Sequence, residues 1–144
     1  MRVIGVDPGL TATGYGVVDV GQGIPLVRAV GCPRSQSRQP LEVRICGIYD
    51  ELLGVLEQWR PGLMVLEGLF SEYKFPRTAI TMGHVRGVIC LAATQAGARV
   101  LEVSPAEVKS ALTGSGRATK EQVQRSLVRM LRLEAPRSRQ RCWT

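Results

Sequence analysis

The sequence holds a single histidine, His84, and its four cysteines, Cys32, Cys46, Cys90 and Cys142, are scattered without a Cys-x-x-Cys pair. A zinc site needs clustered ligands, so none is expected, and reduced thiols in a reducing compartment are the better reading. His84 falls in an expected helix, where an imidazole packs or faces water. No apolar run is long enough to span a bilayer. The opening Met1-Arg2-Val3-Ile4-Gly5-Val6-Asp7 is not a secretory signal, because a carboxylate interrupts the apolar stretch almost at once. A cytoplasmic protein with no membrane association is therefore expected. Internal repeats and linkers are also missing, so the 144 residues are expected to form one domain, 1–144, large enough to bury a core.

Positive charge is what the chain has in excess. Lys and Arg number 19 against 12 Asp and Glu, for a formal net charge of +7 and a pI near 9.8. Most of it is arginine, since Lys74, Lys109 and Lys120 are the only lysines. Arginine grips phosphate oxygens through two parallel hydrogen bonds. A basic surface attracts polyanions, nucleic acid first among them. Hydrophobic residues at 44% and charged residues at 22% mark a globular chain rather than a disordered one.

Hydrophobic patterning predicts three opening strands at 2–7, 14–20 and 25–32, with Gly-rich links that suggest an antiparallel meander. A Ser/Arg loop follows at 33–39. Leu41, Ile45, Ile48, Leu52, Val55, Leu56 and Trp59 then recur at helical spacing, closed by Arg60-Pro61-Gly62. The run 63–66, ended by Glu67, reads as a buried fourth strand. A helix is expected over 76–97, and a fifth strand over 99–103. Ser104-Pro105-Ala106-Glu107 and Thr119-Lys120-Glu121-Gln122 both have the form of a capping box. The helix opened by the first stops at Gly114. The helix opened by the second sets an apolar face of Val123, Leu127, Met130 and Leu131 against a polar face of Gln122, Arg125, Arg129 and Arg132. The order β-β-β-α-β-α-β-α-α implies an α/β fold, a mixed five-stranded sheet covered by helices.

Two carboxylates stand at strand ends, where a charge is costly unless it has a task. Asp7 closes the first strand inside Gly5-Val6-Asp7-Pro8-Gly9, and either caps the following turn or holds a cation. Glu67 closes the fourth strand after Met64-Val65-Leu66. If those strands are neighbours, both carboxylates meet at one edge and make a hard-cation site for Mg²⁺ or Mn²⁺. Ions of this kind activate water for phosphodiester cleavage, and paired sites hold them about 3.5–4 Å apart. Gly114-Ser115-Gly116-Arg117, flanked by Lys109 and Lys120, is either a phosphate-approaching loop or an ordinary turn with solvated cations. Phe70, in Leu69-Phe70-Ser71-Glu72-Tyr73-Lys74, either stacks on a base or belongs to the core.

Together these motifs resemble one family. Ile4-Gly5-Val6-Asp7-Pro8-Gly9 followed by Thr13-Gly14-Tyr15-Gly16 is similar to the opening of RuvC-type Holliday-junction resolvases. Leu66-Glu67-Gly68-Leu69-Phe70 is similar to their second motif. Val108-Lys109-Ser110-Ala111, running into Gly114-Ser115-Gly116 and Lys120-Glu121-Gln122-Val123, is similar to their third. The resemblance covers residues 1 to about 133. It implies a ribonuclease-H-like fold and a homodimer that binds four-way junction DNA. Such a dimer nicks two strands symmetrically with two Mg²⁺ or Mn²⁺ ions per active site, in recombination and repair, and works with a branch-migration complex. It assigns metal binding and catalysis to Asp7 and Glu67, base contact to Phe70, and DNA binding and catalysis to Lys109 and Lys120. Arg117, in the loop between them, joins the expected DNA-binding set.

The family pattern also includes a further helix with two more carboxylates, expected a few residues beyond Pro136. No acid lies between Pro136 and Thr144. The expectation is therefore an atypical tail over 134–144, produced by a frameshift, with weak or absent cleavage and partly retained junction binding. Binding without catalysis is the first alternative. An actin-like phosphotransferase is a minor one, since Asp7, Gly9 and Thr11 fit a short phosphate-loop pattern. A ribonuclease-H-like nuclease acting on RNA is the third.

Overall fold

Five strands form one sheet in the order β3-β2-β1-β4-β5, in a computed structural model that describes residues 1–68 and 75–133. The strands are β1 (Arg2–Asp7), β2 (Gly14–Asp19), β3 (Leu26–Gly31), β4 (Leu63–Glu67) and β5 (Arg99–Val103). The helices are α1 (Leu41–Trp59), α2 (Pro76–Gln95), α3 (Pro105–Thr113) and α4 (Lys120–Met130). Phe70 and the expected tail 134–144 lie outside the described residues. The meander is antiparallel as expected, β1 with β2 and β2 with β3. The crossovers through α1 and α2 make β1, β4 and β5 parallel, because a strand that returns through a helix re-enters the sheet in its original direction.

Alternation along the strands separates the sheet's two faces. Ile4, Val6, Val17, Met64 and Leu66 point to one face and are buried. Ile48, Leu52 and Leu56 of α1 and Val85, Ile89, Ala92 and Ala93 of α2 cover them. Full burial of a Leu or Ile side chain stabilises by about 1.5–3 kcal/mol. The two-helix face therefore carries most of the stability, while α3 and α4 contain no fully buried residue. The opposite face is open, and Val30 and Leu101 are 57% and 50% exposed there. β4, expected to be buried, is buried on this one face only, since just Met64 and Leu66 meet the helices.

Local chemistry sets the element ends. Arg60 adopts a left-handed conformation (φ 46°) and caps α1 through its N–H to the Leu56 carbonyl at 2.8 Å. Pro61 then prevents continuation. α2 stops at Gln95 rather than at residue 97, because Gly97 takes the left-handed position (φ 78°) just past the Ala96 cap. Both capping boxes form: Glu107 N–H donates to Ser104 Oγ (3.1 Å) and Gln122 N–H to Thr119 Oγ1 (3.3 Å), each with the reciprocal bond. Leu131, expected on the apolar face of α4, is instead its C-cap. Among the described residues no helix is long and apolar enough to cross a membrane.

Candidate active site

β1 and β4 run parallel with Val6 beside Leu66. One step further along both strands stand Asp7 and Glu67, at the same edge of the sheet. Alternation turns both away from the α1/α2 core and onto the open face. A trough leads up to them. Its floor is Gly5, Gly16 and Val65, and Val30, Val103 and Val108 form its sides. Gly5 and Gly16 face each other across the β1–β2 ladder, so the Val65 side chain is the one that rises from the floor. Lys109, one residue after Val108 on α3, is close enough for its charge to act on Glu67.

The electrostatics of this end would favour a bound cation. Asp7 is open to solvent on one side, yet desolvation by the surrounding protein raises its pKa. The Glu67 pKa is raised too, first by desolvation and then by the charge of Asp7, with Lys109 partly offsetting both. Each carboxylate therefore holds its charge against an unfavourable environment, which a positive ligand would relieve. The donors are hard oxygens, which suit Mg²⁺ or Mn²⁺ rather than a soft metal. Mg²⁺ is commonly held by one or two carboxylates, with water and substrate phosphate completing its shell. Asp7 and Glu67 fit that role. Among the described residues no group of three or more Asp, Glu, His or Cys side chains is gathered anywhere.

The Asp7 end is braced from several directions. Buried Thr13 donates its hydroxyl to the Gly9 carbonyl (2.7 Å) and accepts the Gly9 N–H (3.4 Å). Gly9 permits this closure, because a Cβ there would lie 2.3 Å from the Ala12 carbonyl oxygen. The turn is then clipped to the next loop by Thr13 N–H to Pro33 O and Ser35 N–H to Thr11 O, both at 3.0 Å. From α1, Arg44 Nε reaches Ser35 Oγ at 2.9 Å. The Glu67 end is held by Arg86 of α2, whose guanidinium donates to the Glu67 carbonyl and, at 2.7 Å, to the Glu102 carboxylate on β5. Gly68 N–H adds a bond to Val103 O at 2.7 Å.

Of the residues singled out from sequence, the fold brings Asp7, Glu67 and Lys109 together. Lys120 is exposed on the first turn of α4, where its charge acts on Glu121. Arg117 is exposed in the α3–α4 turn, with its N–H on Ser115 Oγ at 3.3 Å. Phe70 is outside the described residues. Sequence reasoning missed Arg86, Thr13 and Arg44. A Thr four residues from a glycine was a faint signal for one of them, and nothing local marked the other two.

Comparison with known proteins decides the family. The model of crossover junction endodeoxyribonuclease RuvC matches residues 3–140. The chain belongs to the RuvC family. Its RuvC relative from Rhodopirellula baltica is 43% identical over 133 residues, covering 92% of this chain and 75% of the relative. The Thermomicrobium roseum relative is 39% identical, covering 92% and 80%. Thermus thermophilus RuvC in complex with a Holliday junction substrate superposes with a TM-score of 0.89 at 34% identity, covering 99% of this chain and 87% of that one. The yeast mitochondrial Holliday junction resolvase Ydc2, at 13% identity and a TM-score of 0.65, shares the fold. The ribonuclease-H-like architecture expected from the sequence is thus the one found.

Proposed function

We propose that this protein is a Holliday-junction resolvase, a metal-dependent endonuclease that nicks four-way junction DNA in recombination and repair. The observation that carries the reading is the meeting of Asp7 and Glu67 at the adjacent ends of parallel β1 and β4, in a chain of the RuvC family. The net charge of +7 supplies the general attraction for a polyanion.

In this reading Asp7 and Glu67 hold Mg²⁺ or Mn²⁺, two ions per site by resemblance to the family. When bound, the metal supplies a water nucleophile at neutral pH and steadies the leaving oxygen. The protein's own groups do the rest. Lys109 places a positive charge beside Glu67, where it can hold a non-bridging phosphate oxygen. The Thr13–Gly9 and Arg86–Glu67 bonds keep both carboxylates at fixed strand ends, as positioned catalysis requires. Lys120 and Arg117, both exposed, contact the DNA backbone, and Phe70 contacts a base.

A homodimer fits a substrate with two symmetric strands to nick. α2 has an outward face suited to a second copy, where Ile80 and Leu91 are 63% and 50% exposed. Between them the exposed Gly83 and Gly87 have open space at their Cβ positions. Cooperation with a branch-migration complex and a cytoplasmic location complete the proposal, both from the family resemblance.

The test is a junction assay with and without Mg²⁺ or Mn²⁺, reading binding and nicking from the same samples. Metal-dependent, symmetric nicking that Asp7→Asn abolishes is the expected result, at a weak rate because no acid lies between Pro136 and Thr144. Binding with no nicking under any metal would replace the enzyme reading with that of a junction-binding protein.

A further inference from the structure

A second basic surface lies away from the carboxylate edge, in the angle between α3 and α4. It is a groove lined by Thr113 and Ser115 on one side and by Arg117, Gln122, Arg125 and Arg129 on the other. Apart from Ala118 the lining side chains are polar, three are guanidinium groups, and no carboxylate lines the groove. Arg117, Arg125 and Arg129 are exposed, and among the described residues none lies within ion-pairing distance of an acid. Glu121, one turn before Arg125, feels its charge without pairing to it. Across the chain other arginines are used internally: Arg2 and Arg28 on Asp19, and Arg86 on Glu102. The groove trio is left to bind something outside the described fold.

We propose that this groove holds backbone phosphates of the DNA strand that enters the active site, on one flank of the nicked linkage. The inference rests on the junction reading above and deepens it with a substrate subsite formed by Arg125 and Arg129, with Arg117 at its corner. The spacing is suitable. Arg125 and Arg129 are one helical turn apart on the same face, about 6 Å along α4, which is close to the separation of adjacent phosphates along one strand. The near wall of the groove is the last turn of α3, about 6 Å along that helix from Lys109, and Lys109 acts on Glu67. A strand whose reacting phosphate sits at the carboxylates can therefore reach the groove within a few nucleotides. Arginine forks suit phosphate oxygens, and Ser115 and Gln122 add neutral donors. Contacts of this kind carry no sequence information, so they hold the strand in register without restricting which junctions are bound.

The experiment compares the full chain with the Arg125→Gln/Arg129→Gln double variant. Gln keeps helix propensity, and neither position is buried, so unchanged thermal melting is the control for folding. Junction affinity is measured by fluorescence anisotropy over a range of salt. The expected result is a log K against log salt slope shallower by about two. Junctions carrying neutral methylphosphonate linkages within a few nucleotides of the nick should weaken wild-type binding and add no further loss in the variant. An unchanged salt slope, or methylphosphonates that weaken both proteins equally, would overturn the groove while leaving the junction reading intact. Wild-type chain that binds a junction no better than plain duplex would overturn the junction reading, and the groove with it.

Discussion

β1 has an aspartate beside each of its ends, and the two are in opposite electrostatic states. At the N-terminal end, Asp19 of β2 lies across the ladder from Arg2. It accepts from Arg2 Nε and Nη2 at 2.7 and 3.0 Å and from Arg28 Nε at 2.6 Å. The hydrogen bonds from the two guanidinium groups hold its pKa far below the usual carboxylate range. Arg2 is further fixed by its bond to the Trp59 carbonyl (3.0 Å) and its place over the Trp59 ring. At the C-terminal end Asp7 lies across from Gly14, which offers no side chain. Its charged neighbour on the parallel strand is Glu67, and both pKa values are raised. One end is a completed ion network that closes the sheet. The other is a deficit of positive charge held in place by a braced backbone. A fold selected for stability alone would not leave two desolvated like charges side by side, and that mismatch is what the proposed cation would relieve.

The strongest way to break this comparison is to neutralise the deficient end. Asp7→Asn and Glu67→Gln, each alone, are expected to cut metal-dependent nicking roughly a thousandfold, equivalent to several kcal/mol of lost charge stabilisation. The thermal midpoint should hold or rise, because a disfavoured charge is removed. Single-turnover nicking and scanning calorimetry on the same samples check both. A lower midpoint with nicking retained would show that these carboxylates serve structure instead.

Arg86→Ala tests the brace rather than the charge. The side chain of Arg86 is only 13% exposed, and its loss leaves the Glu67 carbonyl without that donor. The expected cost is about 1–2 kcal/mol, or about 3–8 °C in midpoint. Glu102→Gln should cost less, because Glu102 is half exposed and water screens the pair. If Glu102→Gln proves the more damaging, the ion pair matters more than the hold on Glu67.

Thr13→Val sharpens the same point at the other carboxylate. It removes a buried hydroxyl that both donates to and accepts from Gly9, at about 1 kcal/mol. Hydrogen exchange at the Gly9 amide should accelerate while core amides stay protected. Unchanged exchange there would mean that the clip to Pro33 and Ser35 is sufficient without it.

The smallest effect is at the satisfied end, and its sign is opposite. The Asp19 pKa is lowered on folding, so its contribution is present above the unfolded value near 3.8 and is lost as pH falls below it. The Asp7 and Glu67 values are raised, so their ionisation subtracts stability as pH rises through them. Asp19→Asn should therefore flatten the acid side of the stability curve, and Asp7→Asn the side above it. Arg2, Arg28 and Asp19 are partly exposed, so the Asp19 effect should be small and shrink further in high salt. Acid titration of the melting midpoint in low and high salt measures it.

Much of this was legible in the amino-acid order because the signals are short. A capping box spans four residues, and both boxes formed at Ser104 and Thr119 as read. Asp7 and Glu67 stood out because a carboxylate ends an otherwise apolar strand. The helical spacing from Leu41 to Trp59 found the buried Ile48, Leu52 and Leu56. Arg86 was not legible, because its partners lie 19 and 16 residues away on two strands. Nothing in an arginine's local sequence distinguishes such a bridge from a solvated surface charge. The groove arginines were visible as one polar face of α4, but their union with Arg117 and the end of α3 was not.

By itself, then, the sequence determined the element order, the helix starts, the core stripe of α1 and the two carboxylates that end β1 and β4, since each depends on residues within a turn or a strand of one another. Only the tertiary structure decided that β4 inserts beside β1, that Asp7 and Glu67 therefore share one edge, and that Arg86 rather than a nearer residue holds that edge. Those outcomes depend on pairing of residues 60 positions apart, such as Val3 with Leu63, where register is selected by burial of Ile4, Val6, Met64 and Leu66 against two helices.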